Sequence, residues 1–563
     1  MCTIFDKCSC MLGLSSDLSC IYNPREPFVY FTLGEAVAAL AIIFVVYQFR
    51  SPLWDITLSV RKWVKWVVYS LLSLGVFSVL MASLIPQFPY YSSVPLLSYP
   101  LFWEILGLFA FTSSPIILIG FAHKLTGLFS EYKAGRLFNV LLEQNSTMNV
   151  VTHKAVADVL RDNMEDICKA TSIYNRWKAH LAQESEIKYE YPEYSQISFE
   201  ILHVVMGDHG FLNYVVTSRY DLLSRYIYFV DKYKLWDARI HNGFDAVVKV
   251  LFENRQSYLY REMEYTGIGY YEHFTKQIFF NQKIVTELRP LQAWLCWERS
   301  DGYIDKLRLY LKCLEMAITG YWDNNNVRLD FTPFTVAYDN LEHIALSTTL
   351  EIADVEGKRI WRCSENKILE ELSRFIGRTF PNLYKEALDK KAVGQNDIDV
   401  SVDPEHDYIN KSLTAAYANL VFEYLSVLSS INGHFVFVRH HAMEATGCLI
   451  GILSKDDSIF ANIRSRLIKL LWDRIAENLE DHYAPVIKIY LMLICGKYSK
   501  DEPQWMSDER KKLIGLLYEK VLPSITNDPT KADRLLPQDV TYDKDNNSFY
   551  YHYRSTKEQL IVS

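Results

Sequence analysis

Glycine and proline are sparse in this chain, at 22 and 18 of 563 residues. That scarcity excludes collagen-like and low-complexity polymers and argues against a turn-dense all-β fold. The common signatures of enzyme chemistry are also missing. No phosphate loop is present: Gly357-Lys358 is followed by Arg359, and Gly496-Lys497 by Tyr498. Gly267-Ile-Gly269 lacks the third glycine and the preceding apolar strand of a dinucleotide turn. There is no G-x-S-x-G elbow and no H-E-x-x-H helix, and residues 123–563 contain no C-x-x-C pair. These gaps argue against nucleotide hydrolysis, α/β-hydrolase and zincin chemistry, and no cofactor is expected. The net charge of −8 supplies no basic field, so a nucleic-acid partner is not expected either.

Charge is also scarce locally. Residues 1–124 hold only 13 charged side chains, whereas the remaining 439 residues hold 113. Three apolar runs fill the poor segment: Phe28–Gln48, Trp66–Ile85 and Leu101–Ala122. Each is about 20 residues long, enough to cross a hydrocarbon core of ~30 Å. The sequence therefore predicts an integral, all-α membrane protein with three N-terminal transmembrane helices over 28–122. Lys7 and Arg25 are the basic residues of the tail 1–27, and the loop after the first run carries Arg50, Arg61, Lys62 and Lys65. The loop from Pro86 carries no basic residue, and Lys124, Lys133 and Arg136 follow the third run. Basic loops stay cytoplasmic, so the N-terminus is predicted outside and the large C-terminal part inside, at a plasma or inner membrane. A cleaved leader fits poorly, because the first run is too long and no basic region precedes it.

Four of the ten cysteines, Cys2, Cys8, Cys10 and Cys20, fall in the predicted extracytoplasmic tail. In an oxidising compartment they are disulfide candidates, with three pairings open. With reversed topology they would instead be metal or palmitoylation candidates. The other six are scattered, as befits small buried hydrophobes.

Beyond residue 122 the text has a helical 3-4-3 rhythm, as in Val156, Val159, Leu160, Met164 and Ile167 behind a predicted cap at Thr152. Two helical cytoplasmic domains are expected, 123–333 and 334–535. The second is weakly repeated: His343-Ile-Ala345-Leu346-x-x-Thr349 matches His440-His-Ala442-Met443-x-x-Thr446, which suggests a solenoid-like body. Residues 536–563 form a tail in which Val540–Tyr553 reads as a β-hairpin.

Candidate sites are few. His440, His441 and Glu444 lie at helical spacings that can hold a divalent metal, with Glu423, Asp481 or His482 as a third-ligand source. A polar stripe on a helix is the plainer alternative. Glu200-Ile-Leu-His203 has the E-x-x-H form of di-iron bundles but occurs once, where that architecture needs two. Glu35 and Glu104 stand within the apolar runs. Glu104, beside Trp103, is shallow enough to reach the headgroups, whereas Glu35 needs a protein or wet environment. The 38 tyrosines suit helix packing with wet edges better than base stacking. The leading expectation is a membrane-anchored helical binding module, a scaffold or sensor with a protein partner or self-association. Two alternatives stand beside it: a membrane-tethered metal-dependent hydrolase, and an oligomeric pore-type effector gated by its cytoplasmic body.

Overall fold

A computed structural model describes residues 51–84, 100–146, 149–183, 192–264, 273–292, 302–323, 332–390, 413–447, 460–477, 504–536 and 540–560, apart from short interruptions. The cysteine-bearing tail and the expected first span with Glu35, two isolated residues aside, lie outside them. The described residues are mostly helical, with a small C-terminal sheet. Two of their helices are long and apolar enough to cross a membrane, where the sequence led us to expect three over the whole chain. By internal contacts the chain divides into Met1–Leu235 and Trp236–Ser563, so the domain limits expected at 122 and 333 fall inside these units.

In the first unit, α1 (Pro52–Val60) starts on a proline whose missing N–H costs a first turn nothing. It leads into α2 (Lys62–Leu84), which pairs with α3 (Pro100–Ala122). Small residues set their approach. A Cβ at Gly75 would meet the Phe111 ring at 2.9–3.1 Å, and one at Gly107 would meet Ser78 and Val79 at 3.5 Å. Small residues at the crossing let the two backbones approach closely. The Ser78 and Ser114 hydroxyls donate to Leu74 O and Ala110 O of their own helices, so neither is left unsatisfied. The outer faces are apolar, with Trp66 71% and Ile116 70% exposed. In water such a face would be an aggregation liability.

Four more helices, α4 (Ala134–Asn145), α5 (Val150–Gln183), α6 (Glu193–Glu200) and α7 (His209–Ser218), precede α8 (Tyr220–Tyr233). All of them except α5 itself, together with α1, pack on α5. The predicted stripe Val156, Val159, Leu160, Met164 and Ile167 is fully buried there. The predicted cap is corrected: Asn149 Oδ1 accepts from Val151 N at 3.0 Å, and Thr152 Oγ1 donates back to Asn149 O. At the α7–α8 corner Arg219 pairs with Asp158 of α5 at 2.8 Å and with Asp221 at 2.9 Å. Its guanidinium holds the Asp221 carboxyl down to about 2.

The second unit runs through α9 (Ala238–Glu253), α10 (Tyr258–Glu264), α11 (Gln282–Leu288), α12 (Tyr303–Asp323), α13 (Thr332–Ile352), α14 (Ser364–Arg374) and α15 (Phe380–Asp389). It continues with α16 (Leu413–Ser429), α17 (Phe435–Thr446), α18 (Ala461–Glu477) and α19 (Gln504–Leu516). A π turn, Phe375–Thr379, joins α14 to α15 and brings Gly377 so close to α17 that a Cβ would overlap the Glu444 carbonyl. The matched sequence motifs lie on α13 and α17 and bury equivalent positions, Ile344 and His441, Ala345 and Ala442, Thr349 and Thr446. Both helices also pack on the same two neighbours, α14 and α16. What recurs is one buried face.

The expected hairpin is present. β1 (Val540–Asp543) pairs antiparallel with β2 (Ser548–Tyr553), Val540 opposite Tyr551 and Asp543 opposite Ser548. Asp543 Oδ1 accepts from the amides of Asp545 and Asn546, which closes the turn. A third strand, β3 (Thr556–Gln559), extends the sheet beyond the hairpin.

Candidate functional site

A buried polar arrangement in the first unit sits where α3 ends. Arg61, at the α1–α2 corner, is 5% exposed. Its Nη1 donates to Phe121 O at 3.0 Å and Lys124 O at 2.6 Å, and its Nη2 to Thr126 O at 2.8 Å. A cation on the last carbonyls of a helix also complements the negative end of its dipole. From the other side comes Asn163, in the middle of α5 and 1% exposed. Its Oδ1 accepts from Leu128 N at 3.0 Å and Phe129 N at 3.1 Å. Its Nδ2 donates to Leu125 O at 3.0 Å and Val159 O at 2.8 Å. Two side chains thus fix six backbone groups of residues 121–129. The segment turns at Gly127, whose φ of +68° favours glycine. Trp63 closes the corner edge-on to Phe121, with centroids 4.9 Å apart.

Because α2 and α3 run antiparallel, α1 and the segment leaving α3 lie at one end of the hairpin. There α1 packs against α4 and α5. A buried guanidinium is costly without hydrogen-bond partners, and here three of its five N–H donors meet carbonyls.

The second unit holds a cavity of about 260 Å³ between α13, α16 and α18. Asp339 and Glu342 line it from α13, Asn419 and Glu423 from α16, and Leu470 from α18. Burial raises the Asp339 carboxyl above its ordinary range, and burial plus Asp339 raises Glu342. Both carboxyls are thereby biased toward their protonated forms.

Near the cavity helices, α14, α16 and α17 share a buried polar chain around His441, which is 0% exposed. Asn366 spends its Nδ2 on Trp361 O and Glu370, so its Oδ1 faces His441 Nε2 at 3.0 Å as an acceptor. Nε2 therefore carries the proton and Nδ1 accepts from Ser373 Oγ at 3.1 Å. Ser373 Oγ in turn accepts from Tyr424 OH at 2.7 Å. Burial, and then neighbouring His440, lower the His441 pKa to about 3, so the ring is neutral.

The three residues singled out as a metal set part company here. His441 has both nitrogens engaged in the core. His440 is half-exposed, with Nε2 3.9 Å from Glu444 Oε2, and Glu444 also meets Arg378 at 3.3 Å. Glu423 lies at the cavity instead, and Asp481 and His482 are outside the described residues. Among the described residues no three His, Cys, Asp or Glu side chains converge as a metal set. Glu104 does not reach outward as expected: it is 6% exposed. Glu200 accepts from Gln196 Nε2 at 3.1 Å, and His203 stacks near Phe199. Cys168 and Cys313 are buried free thiols, and Cys363 caps α14 by accepting from Asn366 N.

Sequence reasoning missed Asn163, although a lone amide between Leu160 and Met164 on a buried stripe was a visible signal. It counted Arg61 only as a topological charge. The Asp339/Glu342 pair at i,i+3 gave a weaker hint. Comparison with protein-family models, curated proteins and solved structures returns no match.

Proposed function

We propose that the chain is a membrane-anchored helical binding module, a scaffold or sensor, with its N-terminus outside and its body in the cytoplasm. The observation that carries this reading is the paired grip of Arg61 and Asn163 on residues 121–129. A hairpin that merely anchored a body would need only a flexible tether. Here the exit of α3 is bound without slack to α5, the helix on which the first unit is built. A tilt or shift of the hairpin is passed to α5, and a change in the body is passed back. The acidic cavity is the ligand pocket of this reading, suited to a small cationic group.

Hydrogen exchange on the full chain in nanodiscs tests the coupling. Arg61→Gln should speed exchange along α5 as well as at 121–129. Faster exchange confined to 121–129 would reduce the spans to an anchor.

A further inference from the structure

The corner gripped by Arg61 has a charge pattern that its hydrogen bonds do not use. Between residues 51 and 136 the chain carries Arg61, Lys62, Lys65, Lys124, Lys133 and Arg136, against Asp55, Glu104 and Glu131. Arg61 is spent internally, and its bond to Lys124 O brings Lys62 and Lys124 to the same corner. Lys65 lies one turn further along α2. Lys133 Nζ reaches Gly127 O at 3.4 Å, which places it beside the same turn. Lys62 and Lys124 are exposed and Lys65 half-buried. Among the described residues none of these three lysines is paired with a carboxylate. Trp63 and Trp66 stand exposed between Lys62 and Lys65 and beyond, at the end of an apolar face.

We propose that this corner is a binding site for anionic lipid headgroups, formed by Lys62, Lys65 and Lys124 with Trp63 and Trp66 at the interface. The inference rests on the membrane reading above. Ammonium groups at the end of a spanning hairpin sit at headgroup depth, where a phosphate or carboxylate offers the missing counter-charge. Indole rings at that depth pack on the upper acyl chains while their N–H groups stay wet. A single lysine near an anionic surface is worth roughly a fivefold local enrichment. Three around one corner therefore select among lipids, beyond setting orientation. A headgroup held there would also brace the turn that Arg61 and Asn163 fix, so leaflet composition would bear on the junction.

Tryptophan quenching in vesicles tests this with the full chain. One set contains phosphatidylserine brominated on its acyl chains. The other contains brominated phosphatidylcholine at the same mole fraction. The brominated anionic lipid should quench at least about twofold more strongly, and 1 M salt should remove most of the difference. In Lys62→Gln/Lys65→Gln/Lys124→Gln the two lipids should quench alike, with the phosphatidylcholine value unchanged because insertion is intact. The matching arginine triple variant should keep the preference. Equal quenching by both lipids in the unsubstituted chain would overturn the site while leaving the membrane reading in place. Quenching by neither would overturn both.

Discussion

Arg61 and Asn163 take hold of one short segment from two directions, Arg61 through the carbonyls of Phe121, Lys124 and Thr126, Asn163 through Leu125 O and the amides of Leu128 and Phe129. Neither repeats the other's contacts.

Asn163→Asp separates the two halves of the Asn163 contribution. The carboxylate can still accept from Leu128 and Phe129, but it opposes the carbonyls of Leu125 and Val159 at the distances where Nδ2 donated. A buried charge against carbonyl oxygens should cost more than about 3 kcal/mol. Asn163→Leu loses the bonds without adding charge and should cost about 2–4 kcal/mol. Thermal unfolding in nanodiscs at pH 7 should rank Asp below Leu; the reverse order would mean that shape and not polarity holds the segment.

His441 gives the second unit a pH signature. Its folded pKa of about 3 lies below the ordinary 6.5, so the unfolded chain binds a proton that the folded chain excludes. The stabilisation is fully present above pH 6.5 and is lost as pH falls through that window toward 3. His441→Leu should unfold earlier at pH 7, by about 2–4 kcal/mol, because Asn366 and Ser373 are left buried without their partner. The gap to the unsubstituted chain should narrow steadily as the pH is lowered to 4. A gap constant with pH would place the histidine's proton elsewhere.

Asp339 and Glu342 act in the opposite sense. Their raised pKa values make the folded state hold protons more tightly, so their contribution is present below the ordinary carboxylate range and is lost as pH rises through the raised values. Asp339→Asn with Glu342→Gln should stabilise the protein at pH 8 and change little at pH 4. Both side chains are partly solvated, so screening keeps the gain to about 1 kcal/mol or less. Destabilisation at pH 8 would show that the carboxylates are already matched by a cation.

Gly377→Ala probes the crossing of the π turn over α17. The added methyl would overlap the Glu444 carbonyl, and backbone cannot rotate away as a side chain can. A loss of about 3 kcal/mol or more is expected from the melting midpoint, against near-neutrality for Gly515→Ala, where nothing lies within 4 Å.

The helical body was legible because its apolar spacing is local: the stripe on α5 and the turn at Asp543 follow from neighbours in sequence. The cap at Asn149 was misplaced by three residues because Thr152 has the same capping chemistry. The π turn at Phe375–Thr379 and the crossing at Gly377 depend on a helix some 65 residues away, and nothing in the local pattern encodes them. His441 looked like a ligand because residue type and spacing are shared by metal sites and buried polar chains. Only the positions of Asn366 and Ser373 separate the two.

The central claim is that α2 and α3 cross a membrane as a hairpin with α1 and the body on its cytoplasmic side. Single cysteines at Ser51 and Ser92, each in a chain whose ten native cysteines are replaced by serine, test it with an impermeant maleimide on intact cells. Ser92→Cys should label before lysis, and Ser51→Cys only after it, as should a tag beyond Ser563. Labelling of Ser51→Cys in intact cells while Ser92→Cys stays protected, or identical labelling of the two, would contradict the account.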